Sequence, residues 1–130
     1  MYTAVTRNIQ VTALPQFAAE RSDAENGEYF WTYTIEIANM SEVVVQLTAR
    51  HWRITDDQGM VEEVRGPGVV GEQPILNPGD SFRYTSGCSL HTASGIMVGK
   101  YRMINENGDA FDIEIPAFSL DSPYARRVLN

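Results

Sequence analysis

Strict two-residue alternation constrains this chain more than any other feature. Tyr29, Trp31, Tyr33, Ile35 and Ile37 are apolar, and Phe30, Thr32, Thr34 and Glu36 lie between them. Successive strand residues point to opposite faces, so the run reads as a strand with one face buried. A helix would need apolar residues at spacings of three and four, and no segment supplies these together with caps. Ala18–Glu25 is too short and too polar to give more than one helical turn within a loop.

The same pattern recurs downstream. Phe111, Ile113 and Ile115 alternate with Ala110, Asp112 and Glu114, directly after Asn107-Gly108, a strong hairpin turn. The partner strand is expected over Ile96–Ile104. There Met97, Gly99, Tyr101 and Met103 share one face, and Lys100 and Arg102 share the other. Further strands are predicted at Thr3–Val11, Val43–Ile54, Met60–Val64 and Ser81–Thr85. The turns Asp56-Asp57-Gln58-Gly59 and Asn77-Pro78-Gly79-Asp80 separate them. Within Val43–Ile54 the apolar phase passes from odd positions (Val45, Leu47, Ala49) to even ones (Trp52, Ile54), which predicts a bulge or bend near Arg50-His51. About seven strands with turns at such intervals imply an all-β fold, a sandwich of two antiparallel sheets.

With no repeat, low-complexity tract or linker-like shift, residues 1–130 read as a single domain. The 121–130 tail, with Pro123 and Arg126-Arg127, is expected to be loosely ordered or to pack at a subunit contact. Trp31 and Trp52 are expected as core anchors, and Tyr124 as an exposed aromatic contact. No apolar run approaches the roughly 18 residues of a membrane span, so no membrane insertion is expected. Cys88 is the only cysteine, which rules out an intrachain disulfide and fits a cytoplasmic location. A formal charge of −7 argues against a general grip on nucleic acid, since that grip comes from Lys and Arg neutralising phosphates.

The pattern Gly66-x-Gly68-x-x-Gly71 imitates a dinucleotide fingerprint, whose glycines let a backbone approach pyrophosphate at a helix start. Its setting is wrong. Pro67 removes an amide donor, Val69 and Val70 are β-branched, Pro74 ends any helix, and Glu62, Glu63 and Glu72 would repel phosphate. A weaker form survives, in which the loop amides make an anion nest assisted by Arg65 and by Arg50 or Arg53. Arg50, Arg53, Arg65, Gly66, Gly68 and Gly71 are therefore the candidate anion- or partner-binding residues. Cys88 and His91 fall in a polar stretch expected to be a loop, Ser86–Thr92, with no third group to orient them, so no catalytic residue is assigned. His51, His91 and Cys88 are too few and scattered for a zinc site, and Asp56-Asp57 and Glu62-Glu63 point to opposite faces of their strands. No metal ligand or cofactor is assigned.

One set of blocks carries a family resemblance. Trp52, Ile54, Thr55, Asp56 and Gly59 are followed by Gly66, Gly68-Val69-Val70-Gly71 and Gln73-Pro74. Then come Pro78-Gly79, Phe82, Tyr84, Ser86-Gly87, Gly95, Met97, Gly99 and Tyr101. Together they resemble the ApaG family, also called DUF525, over nearly the whole chain. The resemblance implies an immunoglobulin- or fibronectin-III-like sandwich, in agreement with the strand reading. It also implies an association with cobalt resistance and magnesium efflux, and a module that binds protein partners. The expectation is a non-enzymatic binding module acting through a protein partner. The alternative is a binder or hydrolase of a phosphorylated small molecule such as a dinucleotide polyphosphate. A homodimer through edge strands is compatible with either.

Overall fold

The computed structural model describes residues 1–125. Among them are nine strands: β1 (Tyr2–Thr6), β2 (Ile9–Phe17), β3 (Tyr29–Asn39), β4 (Val45–Asp56), β5 (Val61–Pro67), β6 (Ile75–Leu76), β7 (Ser81–Leu90), β8 (Ser94–Asn105) and β9 (Ala110–Asp121). They form two antiparallel sheets, ordered β1-β2-β3-β7 and β5-β4-β8-β9, with the short β6 also paired to β4. This is the expected immunoglobulin- or fibronectin-III-like sandwich. Two 3-10 turns, Ala19–Arg21 and Ala24–Asn26, occupy the loop where a short helical turn was expected.

The strand count exceeds the expected seven for local reasons. The predicted Thr3–Val11 strand is broken by Arg7 and Asn8, which take φ values of 51° and 62° and form a two-residue hairpin turn that pairs Thr6 with Ile9. That turn type needs left-handed backbone at both central positions, and its twist suits the flanking strands. The second addition is β6, a two-residue bridge.

β7 runs through Leu90, so Ser86–Leu90 is strand and only the short turn at 91–93 remains of the expected loop. Gly87 makes this continuation possible, because a Cβ there would strike the Phe30 ring.

The alternating residues close the core as their period demands. Val11, Trp31, Ile35 and Ile37 from one sheet face Leu47, Trp52, Tyr101, Met103 and Ile113 from the other, all nearly or fully buried. Each such side chain contributes about 1.5–3 kcal/mol through removal from water. The Trp52 ring meets Tyr33 and Phe118 edge-on, with centroids 5.4 and 5.8 Å apart. Trp31 donates its indole N–H to the Asp121 carbonyl at 2.8 Å, tying the end of β9 to β3.

The two lateral margins of the sandwich differ. On one side the Glu114 amide donates to Thr6 Oγ1 at 3.1 Å, joining β9 to β1. On the other side β5 and β7 are unpaired outer strands, so that margin stays open.

One fully buried polar side chain, Asn39, organises the far end. Its Nδ2 donates to the carbonyls of Val43 (2.8 Å) and Leu76 (3.0 Å), and its Oδ1 accepts from the Ser41 amide (3.0 Å) and hydroxyl (2.6 Å). All four hydrogen bonds open to an amide side chain are thereby made. The start of the expected tail is anchored too. Ser122 Oγ donates to the Ala93 carbonyl at 2.6 Å, and Tyr124, still 58% exposed, packs against Tyr29 and Phe17. Residues 126–130, including Arg126-Arg127, lie outside the described residues.

Candidate functional site

A single inserted residue decides where the candidate arginines point. The β4–β8 register shifts between Leu47 and Ala49, so the extra residue is Thr48, two positions before the bend expected at Arg50-His51. The apolar phase alone could not place it, because Ala49 is small enough to sit on either face. Beyond the bulge, Arg50 pairs with the buried Tyr101 and shares the inward face with Trp52 and Ile54. Three residues on, Arg53 falls on the outward face by parity and is exposed. Arg65 is exposed on the same outward face, opposite His51. By register Arg50 and Gly66 fall on the inward face and Arg53 and Arg65 on the outward one, yet Arg50, Gly66 and Arg65 line a common cavity.

The glycine loop is tied to the bulge. The Gly68 amide donates to the Thr48 carbonyl at 2.9 Å, and Gln73 Nε2 reaches the same oxygen at 3.3 Å. Val69 and Glu72 exchange backbone hydrogen bonds of 2.8 and 2.9 Å. Arg50 Nη1 donates to the carbonyls of Pro67 (3.0 Å) and Gly68 (2.9 Å). Its guanidinium lies against Gly66, where a Cβ would come within 3.1 Å of both terminal nitrogens. The amides of Gly68, Val69 and Glu72 are therefore already bonded within the fold.

The tip between them, Val70-Gly71, has φ values of 44° and 80°. A β-branched residue in left-handed backbone is strained by roughly 1–2 kcal/mol. Val70→Asn is expected to raise stability by about 0.5–1 kcal/mol in urea unfolding. A loss of stability would mean that the exposed valine makes a contact worth more than its strain.

The outward face of the five-stranded sheet gathers charge from three strands. Arg53 from β4, Arg65 from β5, and Lys100 and Arg102 from β8 place four of the chain's ten Lys and Arg there, against three of its seventeen carboxylates: Glu63, Asp112 and Glu114. Lys100 and Arg102 both reach Asp112, at 3.6 and 3.3 Å, and Glu63 lies 3.4 Å from His51 and 3.9 Å from Arg65. One carboxylate shared between two cations leaves positive charge over. Arg65, Lys100, Arg102 and Asp112 line a shallow cavity of about 570 Å³, together with Arg50, His51 and Gly66 among others. Along the same face the surface turns apolar, with Val61, Ile96 and Val98 between 41% and 50% exposed.

Cys88 and His91 do not act together. Cys88 is buried, whereas His91 is exposed in the turn after β7. Burial, reinforced by the Glu62 charge, pushes the thiol up to about 11, far from a nucleophilic thiolate at neutral pH. Among the described residues, no three His, Cys, Asp or Glu side chains cluster in a way that could hold a metal ion.

Beside Arg50 lie three phenols. Tyr84 and Tyr101 share a 2.5 Å hydroxyl contact, and burial raises both of them, and Tyr33, above the ordinary 10.0. The nearby Arg50 charge offsets this only in part. These groups keep their protons in the folded chain at a pH where the unfolded chain releases them. Stability is therefore complete below about pH 9 and falls as pH rises through the unfolded values of 9.0 and 10.0 towards the folded ones. The urea midpoint is expected to decline steadily above pH 9, with more than one proton released on unfolding. A flat profile to pH 11 would refute this.

The fold and its surfaces define a class: an antiparallel β-sandwich domain that carries one cationic, partly apolar sheet face. The chain belongs to the ApaG family, whose domain model (ApaG domain, DUF525) matches residues 19–105. It is 67% identical over all 130 residues to Protein ApaG of Methylocella silvestris and 62% identical to that of Beijerinckia indica, each match covering both chains completely. The crystal structure of a Bordetella pertussis protein named ApaA is similar at a TM-score of 0.88 and 42% identity, covering 94% of this chain and all of that one. Among the described residues, no helix is long and apolar enough to cross a membrane.

In the sequence Lys100 and Arg102 share a strand face, but nothing local marks them as site residues. The available signal was their common parity with the outward residues of a neighbouring strand. It becomes useful only once the β4–β8 pairing is known.

Proposed function

We propose that the chain is a binding module that docks an acidic segment of a protein partner across the outward face of β5, β4 and β8. The observation that carries this is the grouping of Arg53, Arg65, Lys100 and Arg102 beside exposed Val61, Ile96 and Val98, in a chain whose net charge is −7. Elsewhere the acidic excess repels such a segment, so the field itself directs it to this face. The apolar strip supplies the area that a charged rim alone does not. The connection to cobalt and magnesium handling rests on family resemblance alone, and on that reading the partner is a protein that moves or senses divalent cations.

The test is the triple reversal Arg65→Glu, Lys100→Glu and Arg102→Glu, made on exposed side chains so that the core is untouched. In a strain lacking the native gene, wild type should restore cobalt tolerance and magnesium efflux, while a folded triple variant should not. Full restoration by the variant would overturn the proposal.

A second reading is favoured by the cavity of about 570 Å³, which has room for a nucleotide beside the four cations Arg50, Arg65, Lys100 and Arg102. It takes a dinucleotide polyphosphate or a related phosphorylated small molecule. A ligand at about 100 times its dissociation constant adds roughly 2.7 kcal/mol, which moves a domain of this size by several degrees. A saturable shift with pyrophosphate or diadenosine tetraphosphate, lost in the triple variant, would promote this reading. No shift would leave the protein partner.

A further inference from the structure

The open margin between β5 and β7 contains a second cavity, on the inner side of the sheets, which shares with the outer cationic cavity the single lining residue Arg50. It measures about 330 Å³, and its lining includes Arg50, Trp52, Glu62, Val64, Ser86 and Met97. It exists because no hydrogen bonds join the two outer strands, so the sheets part there while the β1–β9 side stays shut.

Its two charged groups are opposite in sign and stand apart. Arg50 pairs with Gly66 across the β4–β5 ladder, and Glu62 pairs with Ile54, so their backbone positions lie four residues apart along the ladder, about 13 Å at 3.3 Å per residue. Among the described residues neither is in an ion pair. An arginine offers five N–H donors. Arg50 directs Nη1 to two backbone carbonyls, whereas no acceptor among the described residues meets its Nε or Nη2. Those carbonyl bonds and the contact with Gly66 hold the group in place, so its remaining donors are presented in fixed geometry. Between the charges the walls are apolar, formed by Trp52, Val64 and Met97, and the β7 wall adds the hydroxyls of Ser86 and Ser89.

We infer that this cleft binds a zwitterionic small molecule of short-peptide length, its carboxylate on Arg50, its ammonium on Glu62 and an apolar middle against Trp52. A pocket of this volume with a few placed polar groups and an apolar lining suits a ligand of that size. An extended tripeptide with free termini spans about 10 Å at strand rise, comparable to the spacing of the two positions along the ladder. A purely anionic ligand would meet Glu62, and a purely cationic one would meet Arg50. The charge pair therefore selects for both ends at once.

The test uses Ala-X-Ala tripeptides with free termini, X being Leu, Phe or Trp, alongside their N-acetyl and C-amide forms, read by nitrogen-15 NMR of the whole protein. Free peptides should give saturable shifts of the Trp52 indole and of the Ser86–Ser89 amides, and blocking either terminus should weaken binding about tenfold or more. Glu62→Gln, an exposed and structurally mild change, should abolish the advantage of the free amine over the N-acetyl form while preserving the effect of the C-amide. Absence of saturable shifts at millimolar peptide would overturn the inference. So would a Glu62→Gln protein that still discriminates the free amine. The triple reversal on the outer face should leave this binding unchanged, so failure of either idea is separable from failure of the other.

Discussion

Asn39→Asp is expected to cost about 4 kcal/mol of stability at neutral pH, with the urea midpoint falling accordingly. The change is nearly isosteric, so packing barely alters. What changes is hydrogen bonding. The Nδ2 group that donates to the carbonyls of Val43 and Leu76 becomes an oxygen, and a fully buried carboxylate then faces two acceptors. Ser41 still donates to the other oxygen, which offsets only part of the loss. Asn39→Ala removes the same bonds without burying a charge and should cost less, about 2–3 kcal/mol. An Asp variant as stable as the Ala variant, or more so, would mean that water enters the site and that Asn39 is not the organising group described above.

Gly99→Val is the second large effect, with an expected loss of about 4 kcal/mol or more and little folded protein at 37 °C. Gly99 lies in β8, a central strand, directly opposite Trp52. A Cβ there would come within 2.7 Å of Trp52 Cε3, 2.8 Å of the His51 carbonyl and 3.0 Å of Ile115 Cδ1. The first and third neighbours are buried core side chains, and the second is backbone on the adjoining strand, so no single movement relieves the clash. Gly99→Ala should be milder but still clearly destabilising. A valine variant within 1 kcal/mol of wild type in urea unfolding would show that the β4–β8 ladder opens more readily than its register implies.

The residues allowed the sandwich to be read because alternation is a local signal. Tyr29–Ile37 and Phe111–Ile115 declare both strand and face without reference to any partner. Where the signal was not local, the reading went astray. Arg7 and Asn8 turn the chain using left-handed backbone that neither residue advertises as glycine would, so β1 and β2 were read as one strand. Ser86-Gly87-Cys88-Ser89 has loop-like composition, yet it is held as strand by pairing with Thr32, Trp31 and their neighbours in β3. The bulge at Thr48 could be inferred to exist but not located, and that small displacement decides whether Arg50 faces inward or outward. The cationic face is a long-range object. Arg53, Arg65, Lys100 and Arg102 come from three strands and meet only through ladder register.

The order of strands in the β1-β2-β3-β7 sheet also sets a timetable for synthesis. β1, β2 and β3 follow one another along the chain and can pair as they emerge, but the free edge of β3 must wait until β7, beyond the whole of β4, β5 and β6, has been made. At ribosomal speed that interval is on the order of several seconds. Throughout it the most apolar alternating strand of the chain exposes an unpaired edge, the kind of surface that recruits foreign strands. Substitutions that weaken β7 should therefore reveal themselves first as poor yield and inclusion bodies in warm cultures, even where the purified protein melts at a nearly normal temperature.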